Sequence, residues 1–212
     1  IPEENKVVGY TTKNSGGVPS NFKNWFVVQF DKPFETHYIS DNESIFQDKS
    51  ELKDLHTGAI LQFNTKSDEI IQLKVASSFI SLEQAEINLE REIAGKTFDE
   101  LLAEGKNVWN EELEKIKIQT KNIDNARTFY SSLYRVLLFP RKFYDFNADN
   151  EIVHYSPYNG EVLPGYMFTD NGFWDTFRAV FPFFTLMYPE LNSKIMQGLV
   201  NTYKESGWLP EW

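Results

Sequence analysis

Near residue 80 the hydrophobic period of this 212-residue chain changes from two to 3.6. Alternation of apolar and polar residues suits a strand with one buried face, whereas a 3.6 repeat suits a helix with one buried stripe. A chain that segregates the two patterns along its length builds separate β and α modules rather than one interleaved α/β sheet. The boundary is therefore predicted at residue 80.

Before it, Trp25–Phe30 is a β-branched and aromatic run closed by the turn signal Asp31-Lys32-Pro33. Ala59–Phe63 follows Gly58, and Ile70–Ile80 reads as one long strand in which Ile71, Leu73 and Val75 alternate with Gln72 and Lys74. Gly16–Ser20 and Asp41–Ser44 are loops. Strands spaced by polar turns in this way suggest the back half of an antiparallel sandwich. After the boundary, Ser81 with Gln84 makes a capping box for the stripe Leu82, Ala85, Leu89 and Ile93, which ends at Gly95. Thr97 with Glu100 opens a second, short helix running to Gly105, and a third carries Val108, Trp109, Leu113 and Ile116. A longer helix from Asn122 to Phe139 stops at Pro140. Lys142–Thr169 reads as a β-like or irregular insert, followed by helices over Phe173–Tyr188 and Leu191–Ser206.

Composition narrows the partners. A net charge of −10, with no basic run interleaved with aromatics, argues against nucleic acid or an anionic membrane surface. The absence of cysteine excludes disulfides, zinc-thiolate sites and a cysteine nucleophile. The longest apolar run, Ala179–Tyr188, contains Pro182 and is far short of the ~20 residues of a membrane span. No His-x-His, His-Glu-x-x-His or dense Asp/Asn loop occurs, which disfavours zinc and EF-hand sites. The chain opens on Ile1 and closes on the Trp-rich Gly207–Trp212, so a piece of something longer is expected.

Within Asn171–Pro189, Asp175 and Arg178 stand three residues apart in an otherwise aromatic helix candidate. Charges in such surroundings are paired or face a polar ligand. The plain alternative is an i,i+3 ion pair fixing a helix end, worth about 0.2–0.5 kcal/mol if exposed. The functional alternative is a sugar site. There the carboxylate accepts from two hydroxyls, and Trp174, Phe173 and Phe177 cover the apolar C–H side of the ring. Thr169 and Asp170 are placed to cap that helix. His154 is placed in a loop at the cleft mouth; a triad with Ser156 is conceivable, but no Gly-x-Ser-x-Gly elbow presents a serine. His37 and His56 are placed in turns.

The order Trp174-Asp175-Thr176-Phe177-Arg178, preceded by His154–Gly160 and Thr169-Asp170 and followed by Gly207-Trp208-Leu209-Pro210, resembles family 92 of the glycoside hydrolases. These are calcium-dependent, inverting exo-α-mannosidases abundant in gut Bacteroidetes. The resemblance extends upstream through Ser81–Ala85 and Trp109-Asn110, and so covers about residues 75–212. It implies a multidomain fold of α and β elements. Residues 1–80 would be the C-terminal part of an antiparallel β-sandwich, 81–121 a helical linker, and 122–212 the first helices of an incomplete (α/α)6 barrel. It implies substrate contacts from Trp174, Asp175, Arg178 and Trp208, with Phe173, His154, Asp170 and Glu211 as further cleft-lining candidates. On the same resemblance the catalytic acid and base lie beyond Trp212, as do most ligands of the Ca2+, leaving this piece inactive by itself. The implied substrate is a mannose-containing glycan, an N-glycan or mannan cut at terminal α-1,2 linkages. The other implied partner is the remainder of the parent chain, exported to the periplasm or cell surface. The rival reading is a non-catalytic carbohydrate-binding or adhesion module that uses Trp25, with the helices as a spacer.

Overall fold

A computed structural model describes residues 1–47 and 49–210. They divide into two compact units, one of Ile1–Lys13 with Lys23–Glu92, the other of Asn14–Phe22 with the residues from Ile93 onward.

The first unit is built on two antiparallel three-stranded sheets. One has β2 (Asn24–Phe30) between β1 (Lys6–Thr11) and β6 (Leu73–Ser78). The other has β3 (Thr36–Ser40) between β4 (Ile45–Phe46) and β5 (Gly58–Gln62). Helix α1 (Leu82–Glu92) packs across β2 and β6. Register decides which residues meet it. Val27 sits opposite Val8 and Ala76, and with Ala85 and Leu89 of the helix it forms the dry centre of this layer. Asn88 Nδ2 donates to the Ser77 carbonyl at 3.0 Å, tying helix to strand. At the helix start Ser81 Oγ accepts from Gln84 N at 3.1 Å, as the capping pattern predicts.

Two expectations for this unit change. The Ile70–Ile80 strand is confined to Leu73–Ser78, because Asp31 and Gln72 bond to each other instead of continuing the ladder. Its apolar set also faces away from the helix. Leu73 and Val75 are 55% and 53% exposed, while Ala76 and Ser78 turn inward. Alternation specifies two faces but not which of them a helix will cover. His37 lies in β3 rather than in a turn, with its ring 5.9 Å from that of Phe34.

The second unit begins with α2 (Phe98–Leu113) and α3 (Ile123–Val136). A full capping box joins Thr97 and Glu100, and Asn122 caps α3 by accepting from Asp124 N at 2.9 Å. The predicted stop at Gly105 does not occur: α2 runs straight through it. A mid-helix glycine costs only ~1 kcal/mol relative to alanine, and the well-capped helix tolerates it. Short strands follow: β7 (Arg141–Lys142), β8 (Asp145–Phe146), β9 (Ile152–Tyr155), β10 (Val162–Pro164) and β11 (Phe168–Thr169). They form an antiparallel β10-β9-β8 sheet and a β11-β7 pair. Tyr155 Oη donates to Asn21 Oδ1 at 3.0 Å, and Asn21 Nδ2 donates to the Gly160 carbonyl at 2.9 Å. Burial pushes the Tyr155 hydroxyl above the usual tyrosine range.

The predicted single helix over Phe173–Tyr188 is two: α4 (Phe173–Thr176) and α5 (Val180–Met187). Pro182 is the reason. It has no N–H, and its ring would clash with the carbonyl four residues back, so it fits only the first turn of a new helix. Helix α6 (Pro189–Ser206) has proline at its first position and ends at Gly207, whose φ of 81° is left-handed. Phe184, Tyr188 and Ile195 are the core here, packed with Val136, Leu137, Phe168 and Leu191. Gly198 lets α6 approach β11, since a Cβ there would fall 2.9 Å from Phe168 Cδ2.

Because nothing lies within 4 Å of a Cβ built at Gly105, Gly105→Ala should stabilise the protein by about 0.5–1 kcal/mol. Urea unfolding measures this, and an unchanged midpoint would show that α2 does not limit stability.

Candidate functional site

The candidate site is assembled at the corner between β11 and α4. Thr169 pairs with Arg141 of β7, and the strand ends at Asp170, where φ is 57°. This left-handed residue turns the chain, and a short polar side chain tolerates it. The Asp170 carboxylate accepts from Arg141 Nε at 2.6 Å and from Thr169 Oγ1 at 3.2 Å. Thr169 and Asp170 thus brace the corner and do not cap the helix. The residue at the cap of α4 is Gly172, with no side-chain hydrogen bond.

Asn171 is buried next to this corner, and its Oδ1 accepts from Thr176 Oγ1 at 3.1 Å. Its Nδ2 has no partner among the described residues. Between these two bonded residues lies the single turn of α4. Phe173 points inward, with its ring 5.9 Å from Phe181 edge-on and 6.4 Å from Phe177 stacked. Helical rotation of ~100° per residue then carries Trp174 and Asp175 to the outside. Trp174 is 59% exposed, and Asp175 beside it is exposed as well.

Asp175 and Arg178 form no ion pair. The guanidinium instead lies over aromatic rings, 4.7 Å from the Trp174 centroid and 5.1 Å from that of Phe177. The i,i+3 geometry needs continuous helix, and α4 has ended before Arg178 is reached. The effect is a braced indole and a carboxylate left open to solvent on the same turn.

The other sequence-predicted residues are placed differently. Asp170, with Tyr158, Asn171 and Pro210, lines a hollow of about 80 Å³. That is well below the ~300–1,000 Å³ of typical ligand pockets, and neither Trp174 nor Asp175 belongs to its wall. Trp208 is 79% exposed, and its backbone is held by Ser206 Oγ, which accepts from Trp208 N at 3.1 Å. Glu211 lies outside the described residues. Trp25, the anchor of the rival reading, packs on Tyr10 with centroids 4.8 Å apart, and the Lys23 ammonium lies 4.7 Å over its ring.

His154 is in strand β9 rather than a loop, and it is wholly buried. Its Nδ1 is 2.8 Å from the Gly165 carbonyl, and its Nε2 is 2.9 Å from Glu205 Oε1 of α6. A carbonyl only accepts, so Nδ1 carries a hydrogen. With both nitrogens engaged, no Ser156–His154 couple exists. Ser156 Oγ instead accepts from the backbone of Tyr158 and Asn159, both at 3.3 Å. Glu205 was missed by the sequence reading, yet its position carries a signal. Ile195, Gly198, Thr202 and Glu205 recur at three- and four-residue steps, which places a carboxylate on the buried face of α6.

Among the described residues, no group of three or more His, Asp or Glu side chains could hold a metal ion. The calcium that the resemblance implies therefore meets no such carboxylate cluster among the described residues.

Comparison with known proteins decides the family. Residues 84–212 match the glycosyl hydrolase family 92 catalytic domain, and residues 1–78 match the family's N-terminal domain. The chain belongs to glycoside hydrolase family 92. Its fold matches that of a family GH92 inverting mannosidase from Bacteroides thetaiotaomicron at a TM-score of 0.95 and 43% identity, over 100% of this chain and 29% of that one. A second B. thetaiotaomicron family GH92 α-mannosidase matches at 0.77 and 26% identity, over 99% and 29%. That enzyme is also known in complex with mannoimidazole. A fungal relative from Arthroderma benhamiae, described as an uncharacterized secreted glycosidase, is 27% identical over 163 residues, covering 74% of this chain and 16% of its own. The chain therefore spans under a third of the length of these relatives. No helix of the described residues is long and apolar enough to cross a membrane.

His154→Leu should cost about 3–5 kcal/mol of stability, because it leaves the Glu205 carboxylate buried without its partner. Adding Glu205→Leu should recover part of that loss. A double variant as unstable as the sum of the singles would show that the two side chains do not act as a pair.

Proposed function

We propose that this chain forms one wall of the sugar site of an exo-acting, inverting α-mannosidase that releases terminal mannose, α-1,2-linked, from N-glycans or mannans. The observation that carries the reading is the α4 turn, where the exposed Trp174 indole stands beside an Asp175 carboxylate that has no ion pair among the described residues. A terminal hexose needs both. The carboxylate accepts from two ring hydroxyls, while the indole covers the C–H face that those hydroxyls leave apolar. Arg178 holds the indole from one side and leaves the carboxylate its full acceptor capacity. The inverting mannosidase that shares 43% identity with this chain supports the substrate class.

Inversion requires two carboxyl groups ~6.5–9.5 Å apart, one protonating the leaving oxygen and one activating water. On this reading both come from parts of the protein outside residues 1–212, together with most calcium ligands, so this stretch holds the sugar without cutting it. The β strands and helices would then be the C-terminal part of a β-sandwich, a helical linker and the first helices of an (α/α)6 barrel. Export to the periplasm or cell surface agrees with the secreted relative. For the rival binding module Trp25 is the weaker anchor, since it is half-buried against the Tyr10 ring whereas Trp174 stands exposed.

In the full-length protein Asp175→Ala should lower kcat/KM for terminal mannose release by about 10²–10³-fold, the equivalent of two charge-assisted hydrogen bonds. The melting temperature should stay nearly unchanged, because the carboxylate is exposed and makes no ion pair among the described residues. Activity kept at the parent level would remove Asp175 from the site. Parallel assays with and without a chelator test the calcium requirement.

A further inference from the structure

We propose that Asn171 and Thr176 are positioning residues that set the pose of the Trp174–Asp175 turn, a role that rests on the sugar-site reading above. Helix α4 is a single turn, too short to hold its own shape. Its first cap position, Gly172, offers no side chain, so the usual clamp at a helix start is absent. The clamp present spans the turn from outside: Thr176 Oγ1 donates to Asn171 Oδ1 at 3.1 Å, closing a loop around Phe173, Trp174 and Asp175. The same hydroxyl lies 3.4 Å from the Phe173 carbonyl, at the limit of a hydrogen bond, so the Asn171 contact is the stronger of the two.

Asn171 is suited to anchor such a clamp. It is 4% exposed, wedged behind a left-handed Asp170 that Arg141 holds in place. Its Nδ2 is buried without a partner among the described residues, and the residue lines the small hollow beside Tyr158 and Pro210. A buried amide donor left unpaired by the protein costs roughly 1–3 kcal/mol unless a water or other acceptor meets it. A leucine would fill the position without that cost. What the amide does that a leucine could not is hold Thr176 through its oxygen. Through that bond the buried corner dictates the angle at which indole and carboxylate leave the surface, and misplacement by an ångström is enough to weaken binding of a rigid ring.

The test uses the full-length protein and α-1,2-linked mannobiose, with KM and kcat measured separately and melting temperature recorded. Thr176→Val removes the hydroxyl at constant shape and should raise KM about tenfold. Thr176→Ser keeps the donor and should stay within about twofold of the parent. Asn171→Leu should resemble Thr176→Val, and the double variant should be no worse than either single one. Thr176→Val with an unchanged KM, or with only a lowered melting temperature, overturns the positioning role while a crippled Asp175→Ala leaves the sugar site standing. An Asp175→Ala protein with parental kinetics overturns both.

Discussion

The buried face of α6 is the interaction on which the second unit depends. Ile195, Gly198, Thr202 and Glu205 lie along one side of that helix, and each meets a different part of the strand region or core. Ile195 joins the Phe184–Tyr188 cluster, and Gly198 admits the Phe168 ring of β11. Thr202 Oγ1 lies 3.4 Å from Met167 Sδ, and Glu205 receives His154 of β9. Asn201, next along, donates to the Tyr166 carbonyl at 2.9 Å. Short strands of two to four residues cannot hold themselves in place, since each contributes few ladder bonds. A single long helix that grips β9, β11 and the Tyr166-Met167 segment before β11 supplies the rigidity they lack.

That grip is what gives the α4 turn a fixed base. Strand β11 ends one residue before the left-handed Asp170, and two more residues bring the chain to Phe173. The aromatic side chains then divide the labour. Phe173 points toward Phe181 and anchors the turn, while Trp174 points away and is braced by a guanidinium rather than by packing. An exposed indole on a mobile loop would lose entropy on meeting a sugar; one held by a cation and a fixed corner loses less.

The elements with strong end signals were legible. Thr97 with Glu100 and Asn122 open their helices as expected, because caps depend on neighbours within four residues, and α6 ends at Ser206 as expected but starts at Pro189, two residues before the expected Leu191. Errors arose where a local signal competes with its surroundings. Gly105 reads as a stop, although its cost is small against a sixteen-residue helix opened by a full capping box. Pro182 was read as an interruption of an apolar run but not as the start of a new helix. In β6 the apolar face was identified and its direction was not. At the candidate site, the motif marks the α4 turn, whereas Asn171 reads only as the first letter of an aromatic stretch. Its importance lies in a hydrogen bond five residues on and in its burial, neither of which has a period.

By itself the sequence determined the order of β and α segments, the caps of α1 to α3, the exclusion of cysteine chemistry, and the family, through the spacing of Trp174-Asp175-Thr176-Phe177-Arg178 from its flanking blocks. These are properties of neighbouring residues, and chain order suffices to express them. Only the tertiary structure decided that Arg178 stacks on an indole instead of pairing with Asp175, and that His154 is sealed against Glu205. Each choice is a competition between partners distant in sequence or between rotamers of one side chain. Its outcome depends on where helix α4 ends and on what α6 covers.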